Sequence, residues 1–135
     1  MTESEERNLN RVREYLAALE RGDSGESLRG FFADDVQQIE LPNRLNPKGQ
    51  QSDLAGMLAR SEQGKKVLRG QRYEIVSAIA QGERVAAEAI WTGVLAIPLG
   101  TLAEGAEMKA HFAMFFEFEE GKIRLQRNYD CFEAW

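Results

Sequence analysis

The sequence predicts a single α+β domain, with helices gathered on one side of an antiparallel sheet. Three observations carry this expectation. Apolar residues near the start recur at steps of three and four, whereas from about Tyr73 onward they recur at steps of two. Turn residues cut the second half into four long strands, and helices precede them rather than alternating with them. A chain of 135 residues, 43% hydrophobic and 29% charged, has the size and balance to bury one core without staples, so residues 1–135 read as one domain.

Leu9, Val12, Tyr15, Leu16 and Leu19 trace one buried stripe of a first helix from about Glu3 to Arg21. Thr2 and Glu5 have capping-box spacing, and Gly22 sits where a left-handed stop is expected. A short second helix begins at Asp23 or Ser24 and turns Leu28, Phe31 and Phe32 inward, before Ala33-Asp34-Asp35 turns the chain. Val36 to Leu41 reads as a strand. Pro42, Asn43, Asn46, Pro47 and Gly49 then mark a loop expected to rim something. Ser52 or Asp53 caps a third helix that carries Leu54, Met57 and Leu58 and stops near Gly64. Tyr73, Ile75, Ser77 and Ile79 alternate with polar residues, Gln81-Gly82-Glu83 turns, and Arg84 to Ile97 runs back as a long strand. Glu107 to Glu119 and Lys122 to Phe132 form a second hairpin around Glu120-Gly121.

Composition excludes several functions. Seventeen Lys and Arg against 22 Asp and Glu give a net charge of −5 with no basic cluster, so nucleic acid is a poor partner. His111 and Cys131 are the only soft metal ligands, too few for a zinc site, and no cofactor is implied. Phosphate-binding glycine loops and a G-x-S-x-G elbow are lacking. No apolar run approaches the roughly 20 residues that span a bilayer. With a single cysteine and no apolar leader segment, a cytoplasmic location with no membrane association is expected. What remains is carboxylate and tyrosine chemistry in an apolar cavity, or binding there.

Tyr15-Leu16-Ala17-Ala18-Leu19 running to Gly22-Asp23, then Phe32-Ala33-Asp34-Asp35, then Phe116-Glu117-Phe118 with Gly121-Lys122-Ile123 together resemble the SnoaL-like and ketosteroid-isomerase-like branch of the nuclear transport factor 2-like superfamily. The resemblance spans nearly the whole chain. It implies a cone in which a curved antiparallel sheet packs on three N-terminal helices and encloses a pocket. It also implies that Met114 faces inward beside the ligand. Alternation then puts Met108, Ala110, Phe112 and Phe116 on the concave face with Ala87, Ala89, Trp91, Gly93, Gln126, Asn128 and Asp130. Lys109, His111, Ala113, Phe115 and Glu117 look outward.

By the same resemblance, Tyr15 falls on the isomerases' oxyanion-hole tyrosine and Glu40 on their carboxylate base. Met114 stands where they keep a protonated aspartic acid, and Asn128 replaces the aspartate base of the cyclases and epoxide hydrolases. Neither pattern carries over whole. The expected catalytic set is therefore Glu40 as base, Tyr15 as stabiliser of negative charge, and Asn128 and Asp130 beside them. Gln38, Trp91, Phe112, Met114 and Phe116 are expected to contact the ligand. Apolar walls would disfavour the charged form of Glu40. Plain core or solvated roles compete for every one of these residues. Three functions stay open: an isomerase or lyase acting on a small apolar carbonyl compound, a non-catalytic holder of a small apolar molecule, and a dimeric interaction module. Ile90, Ala113, Phe115, Leu125 and Tyr129 predict a homodimer through the outer sheet face.

Overall fold

The computed structural model describes residues 1–135. Helix α1 spans Glu3–Arg21. Thr2 Oγ1 accepts the Glu5 N–H at 3.1 Å while the Glu5 carboxylate accepts the Thr2 N–H at 2.8 Å, and Gly22 closes the helix at φ +87°. Only glycine adopts that left-handed angle without strain. Leu9, Val12, Tyr15 and Leu16 form the buried stripe.

The second helix is a 3-10 helix, Gly25–Phe31, and β1 follows directly as Phe32–Glu40. Ala33-Asp34-Asp35, expected as a turn, is thus extended strand. The register of β1 against its neighbour shifts between Phe32 and Gln37, an irregularity that absorbs these polar residues without breaking the strand. A three-residue strand β2, Gln50–Ser52, has too few residues to show a period. Helix α2, Leu54–Val67, is capped by Asp53, whose Oδ1 accepts the Gly56 N–H at 2.9 Å. It runs one turn beyond Gly64, because a glycine within a helix costs only about 1 kcal/mol and tertiary packing overrides it.

Strands β3 (Leu68–Gln81), β4 (Arg84–Leu95), β5 (Glu107–Glu119) and β6 (Lys122–Phe132) complete a six-stranded sheet in the order β2-β1-β6-β5-β4-β3. All neighbours are antiparallel except β1 and β6, which run parallel, so the sheet is mixed. β3 carries a bulge between Ile75 and Ser77. One extra residue inverts the phase of alternation, so Tyr73 and Ile75 pack inward whereas Ser77 and Ile79 turn outward, leaving Ile79 67% exposed.

The core lies between α1 and the concave face. Val85, Ala87, Ala89 and Trp91 of β4 and Met108, Ala110, Phe112, Met114 and Phe116 of β5 are all buried, as alternation from Met114 requires. His111 and Phe115 point away from the helices. The three helices against a curved mixed sheet make the cone expected from the sequence. No helix is long and apolar enough to cross a membrane.

Candidate active site

A cavity of about 640 Å³ opens between the concave face, α1, α2 and the loop at residues 41–49. Its apolar wall is aromatic. Trp91 and Phe112 are stacked with centroids 5.4 Å apart and planes 14° from parallel, and Phe132 stands edge-on to both at 5.8 and 6.1 Å. The indole N–H of Trp91 donates to Gln71 Oε1 at 2.8 Å, which satisfies the one polar atom of that ring. Gly93 is the floor beneath the indole, and a side chain there would overlap the Trp91 ring.

The polar end is built by the parallel pair. The β1–β6 register sets Gln38 opposite Gln126 and Glu40 opposite Asn128, and alternation brings Asp130 onto the same face. Helix α2 supplies a cation. Arg60 Nη2 donates to Glu40 Oε1 at 2.7 Å, and Asn43 Nδ2 donates to Glu40 Oε2, also at 2.7 Å. Both oxygens of the expected base are therefore engaged, by Arg60 and Asn43 rather than by Tyr15 or Asn128. The Glu40 side chain is only 17% exposed and Arg60 34%, a geometry in which losing either partner strands the other's charge.

Asp130 is the opposite case. Its Oδ1 is buried and has no hydrogen-bond partner. Burial first, and then the nearby Glu40 charge, push its carboxyl up to about 7, with Arg60 acting against them. A carboxyl poised there exchanges its proton at neutral pH. Burial also raises the Tyr15 phenol to about 12, opposed by the neighbouring Gln126 side chain and by Arg60, so Tyr15 remains a proton donor in hydrogen bonds at any ordinary pH. Its ring is wedged between Phe31, Phe32 and Phe116 at 5.4, 5.3 and 6.4 Å. Burial likewise drives the Tyr73 phenol well above its usual range. Asn128 Oδ1 accepts from Gln126 Nε2 at 2.9 Å, while Gln126 Oε1 is buried without a partner. No three His, Cys, Asp or Glu side chains converge to hold a metal ion.

Tyr15, Gln38, Glu40, Trp91, Phe112, Asn128 and Asp130 all line the one cavity. Met114 and Phe116 do not. They share its face, but α1 covers that half of the sheet and both are core residues, 1% exposed. Sequence reading missed Arg60, Gln71, Tyr73 and Phe132 among the lining, whereas Asn43 and Asn46 come from the loop expected to rim something. A signal existed for Arg60, which lies three residues after the buried Met57 and so shares its helical face.

This cavity, closed by helices over a curved sheet, places the chain among known folds. Residues 12–126 match the SnoaL-like domain. The chain belongs to the SnoaL-like family. A comparison with curated protein sequences finds no significant match. Among solved structures, this SnoaL-like chain is similar to a candidate polyketide cyclase from Xanthomonas campestris at 25% identity and a TM-score of 0.78, over 93% of this chain and 91% of that one. It is similar to AclR, a candidate hydroxylase from Streptomyces galilaeus, at 19% identity and a TM-score of 0.77, over 94% and 80% of the two chains. A protein from Catenulispora acidiphila with a ketosteroid isomerase-like fold, solved with trimethylamine, aligns at 16% identity and a TM-score of 0.71, over 88% and 83%. The last two likenesses establish shared architecture alone.

Proposed function

We propose that this SnoaL-like protein is an isomerase or lyase that moves a proton on a small apolar carbonyl compound, with Asp130 rather than Glu40 as the base. The observation that carries this reading is the unpartnered Asp130 oxygen in the cavity, on a carboxyl held near neutral. Glu40, fixed by Arg60 and Asn43, supplies the negative charge that keeps Asp130 basic.

In the proposed step, ionised Asp130 takes a proton from the carbon next to the carbonyl, and the C–H electron pair becomes the enolate π-bond. The carbonyl oxygen gains the negative charge, and the Tyr15 O–H donates to it. Protonated Asp130 then returns the proton to a different carbon, which is isomerisation. In the lyase variant a β-hydroxyl departs as water, taking the proton with it. Trp91 and Phe112 hold the apolar body of the substrate and exclude water from the enolate.

A panel of enolisable ketones tests this with native protein, Asp130→Asn and Glu40→Gln. The expected result is turnover whose kcat/KM rises with pH through about 7 and falls at least 100-fold in Asp130→Asn. Full activity in Asp130→Asn removes the proposed base. Binding without turnover on every ketone favours the rival reading, a protein that only holds an apolar molecule.

We also propose a homodimer through the outer sheet face. Phe115 and Tyr129 stack edge-on at 5.7 Å and are 39% and 43% exposed, and with Ile79 they flank the small residues Ala86 and Ala113. The exposed thiol of Cys131 on the same face suits a reducing compartment such as the cytoplasm.

A further inference from the structure

The loop at residues 41–49 is tied to two places at once. Asn43 organises it from within: Oδ1 accepts the N–H groups of Leu45 and Asn46, both at 3.0 Å, while Nδ2 bonds the Leu41 carbonyl and Glu40 Oε2. The next residue, Arg44, reaches in another direction. Its guanidinium lies 4.3 Å from the centroid of the Trp135 ring and donates to the Trp135 carbonyl oxygen at 2.9 Å. Trp135 in turn stands edge-on to Phe132 at 5.8 Å, and Phe132 belongs to the aromatic wall of the cavity. A planar cation over an indole and hydrogen-bonded to its backbone is held at two points rather than one. Arg44 is otherwise exposed, and Trp135 is half-buried against the wall.

We propose that Arg44 and Trp135 form a positioning latch, which holds the 41–49 loop so that Asn43 fixes the second oxygen of Glu40. Neither residue lines the cavity, and both act through Asn43. Without the latch, Arg60 alone restrains the Glu40 carboxylate, and its charge no longer has one fixed place relative to Asp130. The functional meaning of the latch rests on the acid–base reading above, whereas its existence does not.

The test uses the isotope-labelled full chain as Arg44→Ala, Trp135→Ala and Trp135→Phe. Arg44 is exposed, so its truncation leaves the core intact. The first readout is the NMR order parameter of the Asn43 backbone amide, expected to fall from a rigid value of about 0.85 to below about 0.6 in both alanine variants. The second is the titration midpoint of the Asp130 carboxyl carbon, expected to drop by about half a pH unit as the fixed Glu40 charge is released. Trp135→Phe keeps an aromatic face for Arg44 and is expected to keep both native values. An unchanged Asn43 order parameter in Arg44→Ala overturns the latch. A mobile Asn43 with an unmoved Asp130 midpoint also overturns it, because the loop then has no hold on the Glu40 charge. A native Asp130 midpoint near that of a free carboxyl defeats the acid–base reading instead, and the latch is then judged on Asn43 alone.

Discussion

Replacing Asp130 by asparagine should make the protein more stable, and only above a defined pH. In the native fold the Asp130 carboxyl titrates at about 7, against 3.8 for the free group. The folded form therefore holds the proton more tightly than the unfolded form. Its contribution to stability is complete below about 3.8, is lost as pH rises towards 7, and is flat beyond. Each pH unit of difference corresponds to 1.36 kcal/mol, so between pH 5 and pH 8 native protein should lose roughly 2.5 kcal/mol that Asp130→Asn does not. Glu40, Arg60 and Tyr73 face the same group and are present in both proteins, so the two differ only at position 130. Urea unfolding followed by fluorescence of Trp91 and Trp135 at several pH values measures it. A stability difference between the two proteins that stays constant from pH 5 to pH 8 would refute the account of Asp130 as a buried, proton-holding carboxyl.

Other perturbations follow from single contacts. Gly93→Ala sets a methyl group into the Trp91 ring, and by overpacking should cost about 1–3 kcal/mol, read as a lowered melting temperature with altered Trp91 fluorescence; an unchanged melting curve would mean that the indole does not rest on this glycine. Asp53→Ala removes the cap of α2 and should cost about 1 kcal/mol in urea unfolding, with less order at Arg60 further along the same helix. Phe115→Lys puts a charge in the outer apolar patch, and light scattering should show a particle of the single-chain mass of 15.2 kDa, where native protein gives twice that; a native monomer at high micromolar concentration contradicts the dimer outright.

Local periods made much of this fold legible. The stripe of α1 and its cap pair Thr2 and Glu5 follow from spacing, whereas the inward and outward faces of β4, β5 and β6 follow from alternation only once the resemblance sets Met114 inward. The bulge at Val76 was not legible. It depends on how β3 pairs with β4, and sequence alternation carries on through it as though nothing had happened. The same holds for the site. Tyr15, Glu40 and Asp130 could be placed on the cavity from the resemblance and alternation, but which carboxylate is free to work depends on Arg60 and Asn43, and these contacts cross between elements. No pattern along the chain distinguishes a carboxylate that meets a guanidinium from one that does not.

The parallel pairing of β1 with β6 also sets a time order. Gln38, Glu40, Asn128 and Asp130 come from the third and the last of the chain's long elements, whereas the hairpins β3–β4 and β5–β6 close locally. During synthesis, β1 leaves the ribosome long before its partner exists, and until then the three residues of β2 can cover only its other edge, leaving the β6 side open. Non-local pairing must offset the entropy of a long closed loop before it gains anything, so the polar end of the cavity should be the last region to gain hydrogen-exchange protection on refolding. A ligand for this pocket then has no binding site on partly folded chains. It can stabilise the finished protein by mass action, but it cannot guide the chain towards it.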